Sequence, residues 1–106
     1  MSYPTTVRAN SAMLSSQVGQ TVRFVGKIIE QNGTRALMAA SDKGQVEIHM
    51  NDKSQYGTQF VEVIGVVNGD NSITEMISTN FGNDFDMETY NELVKKMQQF
   101  PSLYPE

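Results

Sequence analysis

The only histidine in the chain, His49, is the first candidate for chemistry. It alternates with Glu47 in the run Gln45-Val46-Glu47-Ile48-His49-Met50, so on a strand the two side chains share one face. One imidazole and one carboxylate fall short of a zinc site, and the chain has no cysteine to add a thiolate. His49 therefore reads as a solvent-facing strand residue. Asp84, Asp86 and Glu88 imitate the start of a calcium loop, but Thr89 stands where glycine is needed and Lys95 where a bidentate glutamate is needed. These acids suit the positive end of a helix instead. Asn32-Gly33-Thr34 has the form of a glycosylation acceptor, but Met1 to Asn10 lacks a signal-peptide core, and the triplet reads as a hairpin turn. Gly65 and Gly69 spell GxxxG outside any membrane segment. No phosphate loop, dinucleotide fingerprint or nucleophile elbow is present. The expectation is no metal, no cofactor and no enzyme.

The 106 residues allow one domain, and a hydrophobic fraction of 39% against 19% charged is enough to bury a core. Twelve acidic and eight basic residues leave a net charge of −4, whereas electrostatic binding of nucleic acid favours an excess of Lys and Arg. No apolar run approaches the roughly 18 residues of a membrane helix. A small soluble, intracellular domain is expected.

The elements that must position any site follow from periodicity. Residues 1–20 read as a loose arm and a short helical turn, with Asn10 or Ser11 as cap and Gly19 as stop. From Thr21 apolar residues recur every second position, with Val22, Phe24, Gly26 and Ile28 on one face and Arg23, Val25, Lys27 and Ile29 on the other. Asn32-Gly33 predicts a type I′ hairpin turn into a second strand, Thr34 to Ser41. Asp42-Lys43-Gly44 leads to a third strand through Val46, Ile48 and Met50, and further strands are expected over Phe60 to Val67 and Ile73 to Asn80. Gly26 and Gly65 interrupt otherwise apolar strands, which suits strands that bend or bulge. Five strands with two such breaks point to an OB-type barrel over 21–81. Residues 82–106 hold a C-terminal helix from Met87 to about Phe100, stopped by Pro101, with Asp86 as cap and Phe85 against Tyr90 as hydrophobic staple.

OB barrels that bind single strands combine aromatic platforms with a cationic groove. The second and third strands contain no aromatic residue, and Asp42 and Glu47 offset Arg35 and Lys43. Arg23, Lys27, Arg35, Lys43 and Lys53 remain as candidates for weak phosphate contacts. The helix carries more information. Met87, Tyr90, Val94 and Met97 are spaced three, four and three, and Leu93 and Phe100 add a second flank. This stripe is wide enough to meet two neighbours, and the helix follows a complete set of strands. Packing against partner helices is therefore expected over packing only at home.

Phe24-Val25-Gly26-Lys27, Ser41-Asp42, Tyr90-Asn91-Glu92 with Val94-Lys95, and the ending Phe100-Pro101-Ser102-Leu103-Tyr104-Pro105 are similar to the smallest subunits of replication protein A. That protein is the heterotrimeric single-stranded-DNA-binding complex of eukaryotes, and the resemblance covers the chain from about Asn10 to Pro105. It implies an OB barrel with a C-terminal helix that joins helices of the middle and large subunits in a three-helix bundle. By position, Met87, Tyr90, Leu93, Val94, Met97 and Phe100 would form the bundle face, with Leu103 and Tyr104 as a docking tail. It also implies an architectural role in DNA replication, repair and recombination, a nuclear location, and contact with single-stranded DNA mainly through the partners. Two alternatives are a small subunit of a telomere-capping trimer, built on the same plan, and an autonomous single-strand binder.

Overall fold

Alternating apolar positions become strands along nearly half of the described residues. The computed structural model describes residues 7–99. These form β1 (Val7–Ala9), a 3-10 helix (Ser11–Ser16), β2 (Thr21–Asn32), β3 (Arg35–Ala40), β4 (Gln45–His49), β5 (Phe60–Val67), β6 (Ile73–Gly82) and α1 (Met87–Gln99). The sheet runs β1-β2-β3-β4-β6-β5, and β5 returns to β2 to close the ring.

Closure depends on β2 serving two neighbours. Thr21 to Lys27 pair antiparallel with β5, while Gly26 to Asn32 pair with β3. Gly26 and Lys27 thus have partners on both sides, at the bend. A Cβ on Gly26 would lie 2.8 Å from the Met38 Cβ and 2.9 Å from the Phe24 ring. Gly65 marks the second break. The β5–β6 register slips between Ile64 and Gly65, and a Cβ there would run into the Thr74 carbonyl. Both glycines therefore allow close approach inside a tightly curved sheet. The remaining seam is short and parallel, pairing Ile48 with Ile73 and His49 with Thr74. This is a closed barrel of the OB type, filled by Val22, Phe24, Met38, Ile48, Val61, Val63 and Ile73.

Three local expectations are corrected. Val7 to Ala9, read as part of a loose arm, form a strand parallel to Val22–Phe24. They occupy the edge of β2 that β3 leaves vacant, and three residues are too few to show a period of their own. The 3-10 helix is not capped by the Asn10 side chain. Asp42 performs that task from the β3–β4 turn, accepting from the Ser11 N–H at 3.2 Å and the Ala12 N–H at 3.0 Å. The first hairpin closes on Gly33-Thr34, because Asn32 already pairs with Arg35. Of the two turn residues only Gly33 has a positive φ, +59°, which is the pattern of a type II′ turn and not of type I′.

Candidate functional site

Helix α1 begins as its sequence demands. The Asp86 carboxylate accepts from the Thr89 N–H at 3.0 Å and from the Thr89 hydroxyl at 2.7 Å. Those two bonds, side chain first and backbone second, hold the Asp86 carboxyl below the usual carboxylate range. Phe85 and Tyr90 close the staple with ring centroids 5.8 Å apart, and Phe85 also packs on Phe60 and Phe81 at 5.9 and 5.3 Å. The helix entrance is thereby fixed to the rim of the barrel.

The inner face of the helix differs from the expectation. Tyr90 and Val94, assigned to the partner face, are turned onto the chain's own barrel and are 7% and 0% exposed. They belong to the same apolar cluster as Val25, Phe24 and Val61. The reason is visible on β2 and β5. Val25 and its register partner Glu62 sit on the outer face of the sheet, and Glu62 lines a cleft with Tyr90 and Leu93. Alternation alone assigns that face to solvent; the helix covers it.

What α1 leaves toward solvent is narrower than the full stripe. Leu93 and Met97 are half-buried, whereas Met87, also half-buried, packs against the chain's own core cluster. Leu93 borders a cleft of ≈ 490 Å³ shared with Phe81, Phe85, Arg8 and Glu62. Glu88, Glu92, Lys95 and Lys96 form the exposed polar side, with a Lys95–Glu92 ion pair at 3.7 Å. Phe100, Leu103 and Tyr104 lie outside the described residues. Asn91, which sequence periodicity placed off the stripe, is a contact point: its Oδ1 accepts from the Asn10 amide and from the Ser41 hydroxyl, both at 3.0 Å.

The basic residues do not form a groove. Arg23 is half-buried and ion-paired with Glu62 at 3.9 Å. Lys27, Arg35, Lys43 and Lys53 are exposed but dispersed. Arg35 and Lys43 flank opposite ends of β3, and Lys53 is in the β4–β5 connection. Across the outer face of β2, β3 and β4 run the rows Lys27–Ala39–Gln45 and Glu30–Leu37–Glu47. Arg35 shares a shallow cleft with Glu30 and Glu47. His49 faces outward beside Glu47, with Nε2 3.4 Å from Oε1. Among the described residues no group of three or more His, Asp and Glu side chains comes together as a metal site.

One cluster escaped the sequence reading. Glu75 is buried opposite Gly65 and accepts from the Asn51 N–H at 3.4 Å, the Tyr56 hydroxyl at 2.6 Å and the Ser54 hydroxyl. Burial, with the Glu75 hydrogen bond and charge added, pushes the Tyr56 hydroxyl far above its ordinary range, so it remains a donor. The signal was present in β6, where Glu75 falls two residues after inward-facing Ile73, and in Tyr56, the one aromatic of a polar loop. The cluster is structural, since it ties the β4–β5 connection to the barrel.

Comparison with known proteins decides the lineage. The replication factor A protein 3 family profile matches residues 1–104. The chain belongs to that family. A replication protein A 14 kDa subunit of Arabidopsis thaliana is 35% identical over 86 residues, covering 81% of this chain and 80% of the relative. Replication factor A protein 3 of Schizosaccharomyces pombe is 32% identical over 100 residues, covering 93% and 94%. A chain in the structure of U. maydis replication protein A bound to ssDNA superposes with a TM-score of 0.92 at 36% identity, over 99% of this chain and 100% of that one. The S. pombe Stn1–Ten1 complex supplies a weaker likeness, TM-score 0.74 at 13% identity over 92% of this chain and 96% of that one. At that identity the likeness is one of fold alone. The family membership thus favours the replication-factor reading over the telomere-capping alternative.

Proposed function

We propose that this chain is the small architectural subunit of a heterotrimeric, nuclear single-stranded-DNA-binding complex acting in DNA replication, repair and recombination. In this reading α1 joins one helix each from the middle and large subunits. The half-buried flank of Leu93 and Met97 meets them, extended by Met87 and by Phe100, Leu103 and Tyr104, while Tyr90 and Val94 anchor the helix at home. The observation that supports the proposal is the split of the helix's apolar residues between buried Tyr90 and Val94 and half-buried Leu93 and Met97. A helix needed only for its own barrel would bury a single stripe. Here a second apolar flank borders an open cleft beside it. The outer face of β2–β4 supplies neither aromatic platform nor cationic track, so DNA is held through the partners. The chain carries no catalytic task.

Co-expression with the middle and large subunits tests the assembly role. Leu93→Asp should remove the chain from the complex on a sizing column while its own melting transition stays within a few degrees of the parent. Retention of the variant in the complex would refute the assigned flank.

A further inference from the structure

The N-terminal segment is joined to α1 by side chains as well as by position. Among the strands, β1 makes the most extensive approach to α1. From β1, the Arg8 guanidinium donates to the Met97 Sδ at 3.5 Å. From the next residue but one, the Asn10 amide donates to the Asn91 Oδ1 at 3.0 Å. Asn91 and Met97 are six residues apart, about 9 Å along the axis, and Val94 is buried between them. The far end of the segment is fastened separately, because Asp42 caps the 3-10 helix that follows Asn10. The Asn10 Oδ1 is itself buried with no hydrogen-bond partner among the described residues.

We infer that residues 7–10 are a positioning strap that holds α1 at a set angle on the barrel, so that the helix is presented ready-made to a partner. The purpose of the strap rests on the assembly role proposed above, whereas its tethers to the helix are tested on the isolated chain. Arg8 and Asn10 act on the helix from outside it, and Asp42 keeps the strap closed.

The test is amide hydrogen exchange on the full isolated chain, comparing the parent with Asn10→Ala, Arg8→Ala and Asn91→Ala. The quantity is the exchange rate of α1 amides around Val94 relative to β5 amides in the same sample, so that a general loss of stability cancels. Loss of one tether should accelerate α1 about two- to tenfold relative to β5. Adding Asn10→Ala to Asn91→Ala should change the ratio little further than Asn91→Ala alone, because Asn91→Ala already removes the Asn10 bond together with the one to Ser41. An unchanged ratio in Asn10→Ala and Arg8→Ala, or an additive double variant, would overturn the strap.

Discussion

The Ser41 hydroxyl donates a 3.0 Å hydrogen bond to the Asn91 Oδ1, joining the end of β3 to the middle of α1. Two sequence motifs that look independent, Ser41-Asp42 and Tyr90-Asn91-Glu92, are thus two sides of one junction. Ser41 reaches the helix directly, and Asp42 reaches it through the N-terminal segment that it caps. Tyr90, beside Asn91, inserts into the core. The barrel and its terminal helix are thus joined by a single network.

Asp42 should make stability depend on acid. Burial raises its pKa, but hydrogen bonds from the Ser11 hydroxyl and from the backbone of Ala12, Ser11 and Gly44 outweigh this, and the net effect is a lowered value. A depressed carboxyl contributes stability that is present above the unfolded pKa of 3.8 and is lost as pH falls through the folded value. Asp42→Asn should cost about 1 kcal/mol at neutral pH, because a single amide oxygen cannot replace both carboxylate oxygens that accept from the Ser11 and Ala12 N–H groups, and should flatten the acid limb below about pH 4. Urea denaturation across pH measures both.

Val94 separates home packing from assembly. Val94→Asp places a carboxylate at a fully buried position, which costs several kcal/mol and should unfold the helix or the whole domain. Circular dichroism of the isolated variant should show this directly. A folded Val94→Asp chain would mean that α1 does not pack on the barrel in solution.

The Glu75 cluster predicts a tyrosine that titrates only on unfolding. Its raised pKa keeps the Tyr56 hydroxyl protonated, and the stability it supports is present below the ordinary value of 10.0 and lost as pH rises through the folded one. Tyr56→Phe should destabilise the domain by about 1–3 kcal/mol, because a buried carboxylate loses a donor. Phenolate absorbance at alkaline pH should show fewer ionised tyrosines in the folded parent than in the denatured chain, and that difference should shrink by one in Tyr56→Phe.

Intrinsic affinity for single strands should be weak. Titration of labelled oligo-dT with the isolated chain at near-physiological salt is expected to show no submicromolar binding, because the rows Lys27–Ala39–Gln45 and Glu30–Leu37–Glu47 offer no stacking surface. Submicromolar affinity would return the autonomous-binder alternative to favour.

Local physics was legible without coordinates. The strand periods, the capping of α1 by Asp86, the Phe85–Tyr90 staple and the bending role of Gly26 and Gly65 each depend on residues near one another in the chain. Their causes are side-chain alternation, helix-end donors and missing Cβ atoms, all of which sequence displays. The bare outer face of β2–β4 was legible for the same reason, since it needs only a count of aromatics along alternating positions.

Only the tertiary structure decided what meets across the chain. That Val7–Ala9 would find a vacant strand edge, that Asp42 would cap a helix thirty residues earlier, and that Glu75 would gather Tyr56 and Ser54 depends on closure of the barrel. The helix shows the limit most plainly. Its sequence displays one broad apolar stripe, and spacing assigns no owner to any part of it. The outer face of β2 and β5, where Val25 needs cover, draws Tyr90 and Val94 inward and leaves Leu93 and Met97 on the outer flank. Apolar surface records that a side chain must leave water; which neighbour covers it is set by the shape of the folded barrel.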